Sequence, residues 1–241
     1  MKLLIVMPTY NERPNIERVT AGILQHDFAH LLIVDDASPD GTGQVADELA
    51  ARHPGRVHVL HRQGPRGLGL AYVDGLKRAL ESDADAIGQM DADLSHDPKY
   101  LPDLVSRLDR YDLAIGSRYL HGISVVNWPL HRIVLSAFAN RYIRLVTGVS
   151  ATDCTSAYRV WRKEALARVP LVHARANGYA FLTEMLYEAT RQGCRIGEAP
   201  IVFVERQEGY SKVSAPVLME SLLTPWRLLF RGGRAPKPPA V

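Results

Sequence analysis

With 241 residues the chain is long enough for one large α/β domain or two small ones, and one is expected; 46% apolar and 23% charged residues are the balance of an ordinary globular protein with a full core. A net charge of +3 gives no footing for a nucleic-acid partner. The two cysteines, Cys154 and Cys194, lack metal-ligand spacing and read as reduced, partly buried thiols.

The first half alternates short apolar runs with helical patterns. Strands are predicted at Leu3–Met7, Leu31–Val34, Val57–Leu60, Ala86–Met90 and Asp112–Ile115. Helices are predicted near Asn15–Gln25, Gly43–Arg52, Leu68–Glu81 and Pro98–Leu108. Almost wholly apolar strands, each followed by an amphipathic helix, indicate a parallel sheet covered on both faces. The second half offers a long helix at Leu130–Val146, a polar loop, a helix at Phe181–Gln192 and a strand at Pro200–Glu205. Residues 213–230 form an amphipathic helical pattern, and the Gly/Pro/Lys stretch 231–241 reads as a disordered tail.

The opening run MKLLIVMPTYNE breaks at Pro8, and the run VSAPVLMESLLTPWRLLF is interrupted by Pro216, Glu220, Pro225 and Arg227. Neither is expected to span a membrane. From Ser211 onward, Lys212, Arg227, Arg231, Arg234 and Lys237 face only Glu220, a basic patch suited to anionic phosphates or headgroups.

Ligands of parallel sheets sit beyond the carboxyl ends of the strands. Four polar clusters fall there: PTYNE after the first strand, DDASPDG after the second, DAD after the fourth and GSRY after the fifth. In MDADLS (90–95), Asp91 and Asp93 leave an apolar strand one residue apart. Both can reach a hard divalent cation that also holds a diphosphate. In the second cluster, Asp40, Gly41 and Thr42 read as turn and cap residues, whereas Asp36 reads as a ligand for a base or ribose hydroxyl. No glycine fingerprint of a nicotinamide fold follows the first strand, and no Walker-type loop occurs. GPRGLG (64–69) reads as a loop shaped near the nucleotide.

PTYNE, VDDASPDGT, RGLG, DADLSHDP, GSRY, NWP with Arg132 and Ser136, DCTSAYR and RQEGYSK occur in this order from about Val6 to Lys212. Together they resemble the dolichyl-phosphate mannosyltransferases (polyprenol monophosphomannose synthases) of glycosyltransferase family 2. The resemblance implies an α/β GT-A fold with a mostly parallel central sheet flanked by helices. It implies a catalytic domain over 1–212. Apolar area plus basic charge puts the helix over 213–230 in a membrane interface, with Trp226 and Leu228–Phe230 on its apolar side and Arg227 and Arg231 near headgroups; the alternative is a helix packed on the protein's own core. GDP-mannose is the implied donor, Mg²⁺ or Mn²⁺ the ion, and a polyprenyl or dolichyl phosphate the acceptor.

By position, Pro8, Tyr10, Glu12, Val34 and Asp36 match guanosine-side contacts, and Asp91, Ala92 and Asp93 the donor and metal contacts. Ser95 joins the metal set where some members carry Gln, so water takes the place of a side-chain amide. Arg206 and Lys212 match basic residues near the diphosphate, and Arg118, Arg132 and Ser136 the acceptor-phosphate region. Asp153 is either a sugar or acceptor ligand or a loop cap, and Glu184 either a sugar contact or a helix-surface carboxylate. TSAY at 155–158 stands where relatives read TSGF, which bears on that loop's backbone freedom.

Many relatives carry C-terminal membrane helices. This chain resembles those that work with a separate membrane partner, peripherally on the cytoplasmic face. The implied reaction is a single inverting displacement. Its alternatives are glucose transfer from UDP-glucose and a non-catalytic nucleotide-binding subunit; the intact DAD and both arginine sets speak against the latter.

Overall fold

A computed structural model describes residues 1–171, 179–205 and 215–236. The N-terminal half runs β1 (Leu3–Thr9), α1 (Ile16–Leu24), β2 (Ala29–Asp35), α2 (Thr42–Arg52), β3 (Val57–His61), α3 (Leu68–Leu80) and β4 (Ala86–Gln89). These four strands pair in parallel in the order β3-β2-β1-β4. Alternation along β1 sorts the core: Leu3, Ile5 and Met7 join one apolar cluster and Leu4 and Val6 the other. Helix α3 lies so close to the sheet that a Cβ on Gly75 would sit 2.4 Å from Val6 Cγ1 and 2.7 Å from Val34 Cγ2. Only glycine fits there.

The second half extends the sheet. A 3₁₀ turn (Pro98–Tyr100) leads into α4 (Leu101–Arg107) and β5 (Leu113–Ser117). Then come β6 (Val125–Val126), α5 (Leu130–Thr147), β7 (Arg159–Arg162), α6 (Lys163–Arg168), α7 (Tyr179–Arg191), β8 (Ile196–Pro200), β9 (Phe203–Val204) and α8 (Ala215–Gly232). Strand β7 inserts antiparallel between β4 and β5, and β8 closes the edge in parallel with β5, giving the order β3-β2-β1-β4-β7-β5-β8. The expected single strand at 200–205 is therefore two pieces, of which β9 pairs with β6 in a separate two-stranded parallel sheet.

Arg159, fully buried on β7, donates to the carbonyls of Ser156, Leu182 and Cys154 at 2.8–3.0 Å. Burial pulls its pKa down to about 10. It acts as a pin joining the polar loop to α7.

Helix α8 packs on α5 and α7. Tyr142 donates to the Leu222 carbonyl at 2.7 Å and Tyr187 to the Leu228 carbonyl at 3.0 Å. Leu228, expected on an outward apolar side with Trp226, is buried, while Trp226 and Phe230 face outward. Residues 231–236, expected in a disordered tail, continue the helix through Gly232 and then dock, Ala235 donating its N–H to the Thr147 carbonyl at 2.7 Å. Positions 213–214 and 237–241 lie outside the described residues.

Candidate active site

Strand order reverses between β1 and β4, and there the carboxyl ends splay. The β1–β4 register ends at Val6↔Gln89, with one further bond from Met90 N–H to the Val6 carbonyl. Pro8, two residues on, has no N–H with which to continue the ladder. Beyond that parting lies a cavity of about 620 Å³. Pro8, Tyr10, Glu12, Asp36, Asp91, Ala92, Asp93, Ser95, Arg118 and Arg132 all line it.

Non-glycine residues in the left-handed region ring this rim: Asn11 after β1, Ala37 after β2, Leu94 after β4 and Asn127 before α5. For Ala37 and Leu94 that backbone costs on the order of 1 kcal/mol or more. At Leu94 the turn's purpose is visible. It brings the Ser95 N–H and hydroxyl back onto Asp93 Oδ1, at 3.1 and 2.5 Å. Ser95 thus orients a carboxylate.

Asp91 is held from two other directions. The buried Tyr72 hydroxyl donates to its Oδ1 at 2.7 Å, and its own N–H donates to His96 Nδ1 at 3.1 Å. Because Nδ1 accepts, the His96 proton sits on Nε2. Burial lowers the imidazole pKa, which favours the neutral ring, and Tyr158 stacks on it at 5.0 Å. Burial, followed by the Asp91 charge, raises the Tyr72 phenol so that it stays a donor.

The donor set suits a hard divalent ion. Two carboxylates and a hydroxyl line the cavity, and among the described residues no cluster of three or more His, Cys, Asp or Glu side chains could enclose a metal. An ion held here takes its other ligands from phosphate oxygens and water, as Mg²⁺ commonly does.

On the β2 side, Asp36 accepts from Arg62 and, at 2.8 Å, from the Gly67 N–H. It anchors the 64–69 loop as well as lining the cavity. Arg66 of that loop lies over the Tyr10 ring at 4.8 Å and donates to its hydroxyl. Asp40 accepts from Thr42 N–H at 3.0 Å and Thr42 Oγ1 at 2.6 Å, the turn role expected of it.

The cationic side is built on β5 and α5. Arg118 makes two 2.7 Å bonds to fully buried Asp153 and one of 2.8 Å to Thr155. Its guanidinium lies 5.4–5.6 Å from the rings of Tyr119, Trp128 and Phe203. Arg132 stacks on Trp128 at 4.1 Å and bonds the Glu205 carboxylate.

Four expected contacts lie away from the cavity lining. Val34 is a core residue beneath α3. Ser136 instead receives the Tyr119 hydroxyl at 2.8 Å. Asp153 stands behind Arg118 as its counterion. Glu184, on α7, is pushed up to about pKa 7 by burial, and its Oε2 has no hydrogen-bonding partner among the described residues. Arg206 and Lys212 lie outside the described residues. Ala157, where relatives carry Gly, lines the cavity and is not among the left-handed residues. Tyr72, His96, Phe203 and Glu205 were not singled out by sequence motif, although DADLSHDP contains His96.

Comparison with known proteins identifies the family. The chain is 42% identical to the polyprenol monophosphomannose synthase of Mycolicibacterium smegmatis, covering 97% of this chain and 90% of that protein. It is also 42% identical to the undecaprenyl-phosphate mannosyltransferase of Micrococcus luteus, covering 96% of each. Among solved structures, glucosyl-3-phosphoglycerate synthase from Mycobacterium tuberculosis, crystallised with Mn²⁺, uridine diphosphate and phosphoglyceric acid, superposes with a TM-score of 0.67. That match spans 98% of this chain and 80% of the other at 18% identity, a likeness of fold, here GT-A. The glycosyl transferase family 2 model matches residues 4–169, and with the 42% identical relatives it shows that the chain belongs to glycosyltransferase family 2.

Proposed function

We propose that the chain transfers mannose from GDP-mannose to a polyprenyl phosphate with inversion, giving a β-mannosyl phosphate lipid. The observation that carries the reading is one cavity lined by both the Asp91/Asp93 pair and the Arg118/Arg132 pair. Such a site suits two phosphate-bearing substrates, one bound through an ion and one through guanidinium groups. The names of the 42% identical relatives favour mannose over glucose and a polyprenyl phosphate over other acceptors.

Asp91, Asp93 and Ser95 would hold Mg²⁺ or Mn²⁺, whose chemistry is to neutralise charge on the departing diphosphate. Asp36, Tyr10 and Glu12 are suited to the nucleoside. Arg206 and Lys212 are assigned to the diphosphate by sequence position. Arg118 and Arg132 bind and orient the acceptor phosphate behind the anomeric carbon. A phosphate acceptor is already an anion near neutral pH, so its attack needs no strong general base. Arg118, with its charge matched by buried Asp153, holds a fixed direction; that preorganisation lowers the cost of placing a second anion beside the first.

The same reading puts the protein peripherally on the cytoplasmic face of a membrane. No helix of the described residues is long and apolar enough to cross one. Yet α5 exposes Leu130, Val134, Leu135 and Phe138, and its neighbour α8 exposes Met219, Leu222, Leu223, Trp226 and Phe230. Adjacent apolar helix faces flanked by arginines suit the interfacial zone.

The deciding experiment incubates the protein with labelled GDP-mannose or UDP-glucose, a short polyprenyl phosphate and a divalent cation, then extracts into organic solvent. Organic-soluble label from GDP-mannose is expected. Label from UDP-glucose alone would replace the mannose assignment, and none from either would refute the transferase.

A further inference from the structure

The two arginines of the cavity are held by carboxylates in different ways. Arg118 and Asp153 have side chains 6% and 0% exposed, and the carboxylate grips the guanidinium at both oxygens and the Arg118 N–H as well. That pair is a permanent fixture. Arg132 and Glu205 are 24% and 28% exposed, and Arg132 meets Glu205 through one guanidinium nitrogen. Glu205 does not depend on Arg132 for its place. Its N–H donates to the Val126 carbonyl at 3.2 Å at the end of the β6–β9 ladder, and Phe203 two residues earlier packs edge-on against Trp128 at 5.4 Å. Trp128 in turn supports the Arg132 guanidinium from its face.

We infer that Glu205 is an internal competitor for Arg132, a carboxylate that occupies the guanidinium until the acceptor phosphate exchanges with it. This rests on the acceptor assignment proposed above. The device is selective through charge. A phosphate monoester carries about −1.5 to −2 near neutral pH, with a second pKa near 6, and offers three acceptor oxygens. It outbids a single carboxylate for Arg132, whereas a monoanion such as a phosphodiester or a fatty acid does not. The mannosylated product is itself a diester with about one charge less than the substrate. Glu205 regains Arg132 most readily once transfer is complete, which favours product departure. Glu205 is thus a specificity-determining residue whose role is to be displaced.

The test is Glu205→Gln, isosteric at a partly exposed position. The apparent KM for a short polyprenyl phosphate should fall about three- to tenfold, the range for removing one partly screened opposing charge. Calorimetric binding of inorganic phosphate at low ionic strength should tighten by a similar factor, while GDP-mannose affinity is unchanged. Glu205→Gln should change the acceptor KM much less in an Arg132→Ala background than in the wild type, because the competition needs Arg132 and only residual charge repulsion is left without it. A raised KM in Glu205→Gln would show that Glu205 supports Arg132 as Asp153 supports Arg118, and would overturn the inference. So would an undiminished effect in the Arg132→Ala background. If the wild-type protein transfers nothing to polyprenyl phosphate, the proposed function fails, while the inorganic-phosphate titration still reads whether Glu205 competes for the anion.

Discussion

The Tyr72 hydroxyl reaches Asp91 Oδ1 at 2.7 Å from a fully buried ring on α3, so a helix of the N-terminal half orients a carboxylate at the end of β4. Phe181 of α7 stacks on the same ring at 5.8 Å. We expect Tyr72→Phe to keep the fold and lower turnover roughly ten- to a hundredfold, since a hydrogen bond to a charged group is worth about 1.5–3 kcal/mol. The loss should appear in kcat and in the divalent-ion requirement, with acceptor KM unchanged. Steady-state kinetics across a metal titration checks this; a wild-type metal dependence would leave Tyr72 with packing alone.

Asp93 differs from Asp91 in what holds it, being oriented by Ser95 two residues later. Asp93→Asn should lose at least about a hundredfold in turnover, from the several kcal/mol an ion contributes to leaving-group stabilisation. Excess chelator should abolish wild-type activity and added Mg²⁺ or Mn²⁺ restore it. Full activity in chelator would remove the ion from the reaction.

Much of this architecture was legible in the chain because its N-terminal strands are unambiguous. The segments at β1, β2 and β4 are wholly or almost wholly buried and read as continuous apolar runs. Strand β7 was not legible. RVWR has two arginines in four residues, and only the three carbonyls gathered around Arg159 make its burial tolerable. Those carbonyls come from the polar loop and α7, a convergence no local pattern records. The site divides along the same line. Residues aimed into the cavity cluster in short motifs at strand ends, which position alone discloses. Ser95 holds Asp93 from within the same motif, but other partners come from afar: Tyr72 is 19 positions from Asp91, Asp153 is 35 from Arg118 and Glu205 is 73 from Arg132. Val34, expected at the nucleoside, turns its side chain into the core, because alternation along β2 decides which way a strand-end residue points.

Glu184 makes stability depend on pH in a stated direction. Burial is the largest cause of its rise from 4.5 to about 7; Glu220 and Glu188 add to it, and Arg231 and Arg227 oppose it. A carboxyl whose folded pKa is raised binds more protons folded than unfolded between about pH 4.5 and 7. Its contribution is fully present below the lower value and is lost as pH rises through the upper. Glu184→Gln should therefore be more stable than wild type at pH 8, with the difference vanishing near pH 4.5. Denaturant melts of both proteins from pH 4.5 to 8 check it, and parallel curves would show that Glu184 is solvated.

The last expectation concerns the outer faces of α5 and α8. Phe230 is 83% exposed and Leu130 75%, at the end of one helix and the start of the other. Tyr142 and Leu222 join the two helices at 2.7 Å, so their apolar side chains act from a shared scaffold. Burying a Phe or Leu side chain yields about 1.5–3 kcal/mol in full, and partial immersion in an interface yields a fraction of that per residue. Arg227 and Arg234 add attraction to anionic headgroups that weakens with salt, whereas Arg231 is paired with Glu188. Full-length protein should float with anionic liposomes at low salt. Trp226→Ser/Phe230→Ser should float about tenfold less, while keeping its melting temperature, since both side chains are exposed already. Phe138→Ser on α5 should weaken flotation further in the same background, because it lies on the second face. Equal flotation of wild type and the triple variant would exclude these helices as the attachment surface. A fall confined to the α8 changes would leave attachment to that helix alone, with α5 facing water.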